Sequence, residues 1–283
     1  MSAFLAVLAS VGFGVGVALQ RREALHTAPE LSLRPSLVVR LVRRPLWLAG
    51  LAAEVVGFGL QAAALQHGSL VLVQPILATP VIVALVLGAV WWGEQVATRE
   101  WLAMAAVIAG LAVFLVATDP RSVASNAPTA LAWALAAGAT LAVLLTVVRT
   151  GSRARGVSRA TLLGAAAGLA DGFMAALAKT FAGRLEYGVA ATARSWAPYA
   201  VVFGGLVAVL LTQSAYQAGH PTVALPVITV IDPLAGAAIG LTLFGDRVTL
   251  AGGSGAVGLA AAFVVLAALV VLSRGAAAEM VSA

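Results

Sequence analysis

The feature that most constrains this chain is an internal repeat, because its second half matches its first half at a fixed offset of 152 residues. The matching positions are mostly small or polar residues toward the ends of apolar stretches: Gln61 and Gln213, Gly88 and Gly240, Gly93-Glu94 and Gly245-Asp246, and Val96 and Val248. Because several such positions agree at one offset, chance explains the pattern poorly. Two copies of one hydrophobic unit in a single chain are typical of secondary transporters.

The composition predicts a membrane protein. Of the 283 residues, 61% are hydrophobic and 10% are charged, whereas soluble domains carry about 25% charged residues. The apolar stretches are about 20 residues long, enough for a helix to cross roughly 30 Å of hydrocarbon. Alternating strand patterns are absent, which argues against an outer-membrane barrel. We therefore predict an all-α, polytopic protein embedded in the lipid bilayer.

The net charge of +6 does not indicate a nucleic-acid partner. The basic residues lie at the ends of apolar spans, where Lys and Arg determine topology, and no RNA-binding motif is present. The chain contains no cysteine, which excludes disulfides and thiolate metal sites.

About nine transmembrane helices are predicted. Their approximate bounds are Ser2–Gln20, Pro45–Gln66, Ser69–Trp92, Glu100–Thr118, Ala127–Val148, Ala160–Ala182, Ser195–Ala218, Pro221–Phe244 and Leu250–Leu272. Twelve Arg residues fall in loops of one parity and four in loops of the other. The positive-inside rule then places the N-terminus outside and the C-terminus in the cytoplasm, in a plasma or inner membrane.

The repeat combined with nine helices predicts an inverted arrangement. Residues 1–126 hold the first repeat (helices 1–4), residues 127–158 hold the connector helix 5 and a basic loop, and residues 159–283 hold the second repeat (helices 6–9). Because an odd number of crossings separates corresponding helices, the two halves insert upside down relative to each other. This 4+1+4 construction suits rocking between outward-open and inward-open states.

Two stretches resemble the drug/metabolite transporter superfamily, in the pattern of its EamA-type units. The first copy runs from Ala64-Leu65-Gln66-His67-Gly68-Ser69 through Gly93-Glu94 to Trp101 and Ile108-Ala109-Gly110, and the second repeats it around Gly245-Asp246. The similar regions are roughly residues 45–118 and 196–272. Nine helices and Glu54 in helix 2 resemble the NIPA-type magnesium transporter branch, although the pattern departs from it before Pro75 by about one helical turn.

Three acidic side chains are predicted near the bilayer midplane: Glu54, Asp171 and Asp232. A charge there costs at least about 2.5–3.5 kcal/mol, so each acid needs a reason to be present. They fall at the depth where inverted-repeat transporters bind substrate or ions. Each also has a structural interpretation, as a hydrogen-bonded acid between helices. For Asp171 this interpretation draws on the small-residue seam Gly164-x-x-x-Gly168-x-x-x-Gly172.

Glutamines and prolines complete the predicted site. Gln61 shares a helical face with Glu54, and Gln213 is its counterpart in the repeat. Pro75 and Pro80 are expected to break helix 3, and Pro226 and Pro233 to break helix 8, releasing carbonyls beside Asp232. Paired broken helices are the strongest sequence indication of a transport site. The structural alternative is that these prolines only shape helix packing.

The remaining charged groups have less specific interpretations. Lys179 is the one base predicted inside the bilayer, and it either extends to the interface or meets an acid from another helix. Glu94 and Asp246 lie at helix ends and are interpreted as topology or capping residues.

We therefore expect a secondary transporter working by alternating access, not an enzyme, and without a resident cofactor. The favoured substrate is a small cation such as Mg²⁺, since acids, amides and carbonyls suit hard cations, with Glu54, Asp171 and Asp232 as its ligands. Proton-coupled export of a metabolite or drug is the first alternative. A non-transporting membrane scaffold and an enzyme acting on lipid-linked substrates are alternatives of other classes. Whether the protein acts alone or as a homodimer stays open.

Overall fold

The protein is described by a computed structural model that covers residues 1–24, 43–93, 95–121, 128–218, 221–248 and 252–282. Throughout these ranges the regular structure is helical, and the one β contact is an isolated antiparallel bridge between Arg121 and Arg247. The prediction of an all-α membrane protein is confirmed.

The helices are numbered here in chain order. They are α1 (Ser2–Ala24), α2 (Pro45–His67), α3 (Leu70–Leu77), α4 (Pro80–Trp92), α5 (Thr98–Thr118), α6 (Ala130–Arg153), α7 (Gly156–Leu185), α8 (Val189–Ala193), α9 (Ala197–Gln217), α10 (Pro221–Leu243) and α11 (Gly252–Ser282).

Eight candidate membrane spans are long and apolar enough to cross a bilayer among the described residues. They comprise α1, α2, α3 together with α4, α5, α6, α7, α10 and α11. The predicted span Ser195–Ala218 falls on α9, whose apolar segment Ala197–Thr212 is shorter than the others. The short helix α8 was not predicted, and α7 extends beyond its predicted apolar core at both ends.

The third predicted span is interrupted between Leu77 and Pro80, where α3 ends and α4 begins. Pro80 has no N–H, so it cannot donate to the carbonyl of Ile76 one turn earlier. That carbonyl accepts instead from the backbone N–H of Thr79 at 3.1 Å and from its hydroxyl at 2.7 Å. The Thr79 hydroxyl is also 2.7 Å from the hydroxyl of Ser10 in α1. The carbonyl expected to be released for a ligand is therefore already bonded within the protein.

The corresponding interruption predicted in α10 does not occur, because the helix runs continuously through Pro226 and Pro233. Proline removes one donor but leaves the rest of the helix ladder intact, and neighbouring groups in a packed bundle can satisfy the carbonyl it frees. Pro80 differs because it occupies the first position of a new helix, where its fixed φ and missing N–H are favourable. Of the two breaks predicted, the one in the third span is therefore present and the one in α10 is not.

The bundle is held together by helix pairs that approach closely. The main pairs are α1 with α2, α7 with α10, and α5 with α11, while α3 packs against α10 and α2 against α7. The predicted small-residue seam lies in the α7–α10 contact. A β-carbon built on Gly172 would be 2.8 Å from the Asp232 carbonyl oxygen and 2.8 Å from the Gly236 nitrogen. Such close approach of backbones is how helices associate in membranes.

The outer surface of the bundle is apolar. In α6, the predicted connector, the one buried residue is Gly151, and large side chains such as Leu135 and Leu145 are more than half exposed. Contiguous exposed apolar surface of this kind is expected where a helix faces lipid. Polar and acidic groups instead lie between helices, where the functional site must be sought.

Gly172→Ala should destabilise the protein by about 1–3 kcal/mol, the usual cost of overpacking. The added methyl would lie 2.6 Å from the Ala235 β-carbon and against backbone atoms that cannot move aside. The matched control is Gly183→Ala on the same helix, where a β-carbon would meet nothing within 4 Å. Thermal unfolding in detergent measures both variants, and equal melting temperatures would contradict the proposed close contact.

Candidate functional site

The three predicted intramembrane acids come from three different helices: Glu54 from α2, Asp171 from α7 and Asp232 from α10. All three side chains are half-buried. The carboxylate of Asp171 is close enough to that of Glu54 for their charges to interact, and Asp232 interacts with Asp171 in the same way. The structure therefore brings the three acids together as a chain, with Asp171 in the middle. We refer to Glu54, Asp171 and Asp232 as the acid chain.

Glu54 lies directly against the backbone of α1. A β-carbon on Gly16 would be 2.4 Å from Cγ of Glu54 and 3.0 Å from the carbonyl oxygen of Gly50. The amide of Gln20, one turn further along α1, lies beside the Glu54 carboxylate. The absence of a side chain at Gly16 thus leaves the space that Glu54 occupies. Helix α1 therefore lines the site, and the sequence analysis did not predict this role for α1. The glycine-rich run Gly12-Phe13-Gly14-Val15-Gly16 was the available signal.

Asp171 and Asp232 lie at the glycine seam between α7 and α10. Gly168 faces the backbone nitrogen of Asp232, and Gly172 faces its carbonyl oxygen. The seam and the acids therefore belong to the same contact, so the structural and functional interpretations of Asp171 are not exclusive. Close backbone approach places the two carboxylates near each other without any intervening side chain of large volume.

The predicted glutamines have separate outcomes. Gln61 is buried in α2, on the same helix as Glu54. The side chain of Gln213 falls outside the described residues. A third amide, Gln74 of α3, is buried and fills the space above Gly236 of α10, where a β-carbon would be 2.6 Å from Cγ of Gln74. Gln74 thus connects the broken span to the helix that carries Asp232.

The acid chain is not arranged as a metal centre. Within the described ranges, no group of three or more His, Asp or Glu side chains has the geometry to hold a metal ion. The three acids come from three helices, of which α7 packs against both α2 and α10.

A second polar cluster lies nearer one end of the bundle, at Asp246. The Asp246 carboxylate is fully buried and accepts hydrogen bonds from the first two backbone N–H groups of α3, Leu70 at 2.7 Å and Val71 at 3.4 Å. The hydroxyl of Ser69 accepts from the third, Leu72. Asp246 is therefore a helix cap, as interpreted from its sequence position, but the helix it caps lies in the other half of the chain.

Lys179 is the partner of Asp246. Its Nζ donates to Oδ1 of Asp246 at 3.1 Å, and the Lys179 side chain is only 13% exposed. The ammonium group also lies 4.8 Å from the centre of the Phe244 ring, within cation–π distance. The sequence left two interpretations of Lys179 open, and the structure shows the second, in which Lys179 pairs with an acid from another element. Gly240 leaves room for this acid, since a β-carbon there would be 2.7 Å from Oδ2 of Asp246.

The comparisons with known proteins found a family similarity in the first half of the chain and one relative that covers most of it. Residues 31–116 match the EamA-like transporter family. An uncharacterized protein of Corynebacterium glutamicum is 24% identical over 251 residues, which cover 87% of this chain and 86% of that protein. No solved structure matches.

The family match covers the first of the two stretches that resemble EamA units, and it gives no support to the magnesium-transporter branch. It includes Glu54, Gln61 and the break between α3 and α4. Residues 31–116 are thus similar to the EamA-like transporter family, in a chain whose described helices include eight long and apolar enough to cross a membrane.

Proposed function

We propose that this protein is a secondary transporter that moves a small solute across the membrane by alternating access, with the acid chain as its coupling site. The observation that carries the proposal is the placement of Glu54, Asp171 and Asp232 on three helices of an otherwise apolar bundle, with α7 packed against both α2 and α10. Intramembrane acids that face one another mark ion pathways and proton relays. The EamA-like segment supports transport as the activity.

Protons are the favoured coupling ion. Neighbouring carboxylates repel one another in a medium of low dielectric constant, and either bound protons or a bound cation relieves that repulsion. The position of Asp171 on the helix that packs against both others suits transfer of a proton along the chain. Mg²⁺ transport, expected from the ligand types in the sequence, is the second candidate and rests on those ligand types alone.

Two further features belong to this proposal. The inverted 4+1+4 repeat would let the two halves exchange conformations, so that the acid chain faces each side in turn. The distribution of Arg residues supports an N-terminus outside and a C-terminus in the cytoplasm.

Removing a charge from the acid chain should abolish coupling. We expect Asp232→Asn and Glu54→Gln each to lower proton flux by about tenfold or more, within the usual range of coupling free energies of 1–3 kcal/mol. The measurement uses proteoliposomes containing a pH-sensitive dye, to which Mg²⁺, other cations and amino acids are presented in turn.

Asp119→Asn is the matched control for these variants. Asp119 follows α5, is half-exposed and pairs with Arg121 outside the membrane-spanning helices. Proton flux through the Asp119→Asn variant should equal that through the unmodified protein. Wild-type flux in both acid-chain variants would refute the coupling site.

Gly16→Ala tests whether Glu54 must occupy its observed position. The added methyl would displace Glu54, because a β-carbon at position 16 would overlap Cγ of Glu54. We expect proton flux to fall by about fivefold or more while the protein remains folded. Gly59→Ala, on the helix that carries Glu54, adds a methyl into open space and should leave flux unchanged. Equal flux in the two variants would contradict a positional requirement.

Thermal unfolding distinguishes the two candidate ions without knowledge of the substrate. A ligand that binds only the folded state raises the melting temperature, and the rise grows with the ligand concentration relative to its dissociation constant. For proton coupling, we expect melting that changes with pH and is indifferent to Mg²⁺, and a weaker pH response in Asp232→Asn. A rise in melting temperature with Mg²⁺ that is lost in Asp232→Asn would instead favour Mg²⁺.

A further inference from the structure

We infer that Asp246, Lys179 and the N-terminal end of α3 form a gate that closes one end of the transport path. The inference rests on the proposed transport function. We refer to the Asp246 carboxylate, the Lys179 ammonium group and the first two N–H groups of α3 as the gate cluster.

The gate cluster joins the two halves of the chain. Leu70 and Val71 belong to the first predicted repeat, while Lys179 and Asp246 belong to the second, and the residues on the two sides are separated by up to 176 positions. A conformational change that moves one half against the other must therefore break or keep the two bonds between Asp246 and the start of α3. Contacts between halves are where alternating access has to act.

Apolar side chains seal the same end of the bundle. Leu65, Leu70, Ala175, Ala178 and Phe244 form part of one buried cluster around the gate. Trp133 of α6 adds edge-on ring contacts at 6.0 Å to Phe173, 5.1 Å to Trp196 and 6.2 Å to Phe244. Lys179 lies over the last of these rings. The ion pair, the helix cap and the aromatic side chains thus lie together at this end of the bundle and close it.

A pocket lies at the opposite end of α10. Its volume is about 410 Å³, and it is lined by Val223, Pro226 and Val227 from the start of α10 and by Arg274 from α11. The gate cluster lies past the other end of α10, after Leu243. By the Arg distribution, the pocket end faces the cytoplasm and the gate end faces outward. The pocket and the gate cluster therefore mark opposite ends of the proposed transport path.

The chemistry of the gate cluster suits reversible closure. The buried start of α3 has N–H groups that need acceptors, and Asp246 supplies a charge-assisted one. Separating the halves leaves those donors, and the Asp246 oxygen that accepts from them, without partners unless water enters, while the ion pair with Lys179 stays within the second half. Closure is thus favourable in a dry interface, and hydration of the same groups stabilises the open form. Apolar packing alone would not provide such a switch.

Cysteine accessibility tests the gate directly, because the chain has no native cysteine to remove. The reporter V73C lies on α3 at a residue that is 0% exposed, within the cluster around the gate. Y187C, at a residue 75% exposed just after α7, measures labelling at an open position of the same end. V227C reports on the pocket at the other end. A membrane-impermeant maleimide is applied to each side of proteoliposomes containing the full chain.

Asp246→Ala should raise labelling of V73C by about tenfold, as expected for a shift of the two-state population toward the open form. Asp246→Asn should raise it less, since the amide oxygen still accepts from Leu70. Lys179→Met should also raise it, through loss of the ion pair. Labelling of Y187C should not change. Labelling of V227C should fall, because alternating access closes the pocket end when the gate end opens.

Equal V73C labelling in all three variants and the unmodified gate would overturn the inference. A rise at both V73C and V227C would overturn it as well, because general loosening rather than gating would then be the cause. The test is independent of the coupling site. If Asp232→Asn keeps full proton flux while Asp246→Ala exposes V73C, the acid chain fails and the gate stands, and the reverse pattern removes the gate alone.

Discussion

A helix that begins inside a membrane protein needs acceptors for its first N–H groups, because hydrocarbon provides none. The interruption at Ala78 and Thr79 makes α3 a short helix, and its start is buried at Leu70. Asp246 satisfies that start from the other half of the chain, and Lys179 balances the charge of Asp246. The buried start of α3 thus brings together a buried acid, Lys179 and a cluster of apolar side chains.

Glycine determines the position of the other acids. Glu54 lies against Gly16, and Asp232 presents its backbone to Gly168 and Gly172. In each case an acidic residue lies at a close backbone contact between two helices. The arrangement places the acids between helices and near one another, so that a bound proton or cation is needed to relieve their repulsion. Helix association and acid placement are therefore two effects of the same contacts.

The sequence predicted the helical class, the helix positions and the three intramembrane acids, because apolar length and isolated charge are local signals. It predicted the seam at Gly172 from spacing alone. It did not predict which helices meet, so Gly16 beside Glu54 and the pairing of Lys179 with Asp246 were missed or left open. It also treated Pro80 and Pro233 alike, although the first starts a helix and the second is tolerated inside one. That difference depends on which partners accept the freed carbonyls, and tertiary packing decides it.

Equivalent positions in the two halves of the proposed repeat have different structural roles. At the shared offset, Pro80 corresponds to Asp232, so the position that starts a new helix in the first half carries an acid in a continuous helix in the second. Gln74, just before the break, reaches across to Gly236 beside that acid. The break gives the first half a place to bend, while the continuous α10 holds Asp232 in fixed register with Asp171. Movement at α3 would then change access to the acid chain without dispersing it, which is what a carrier with a fixed central site requires.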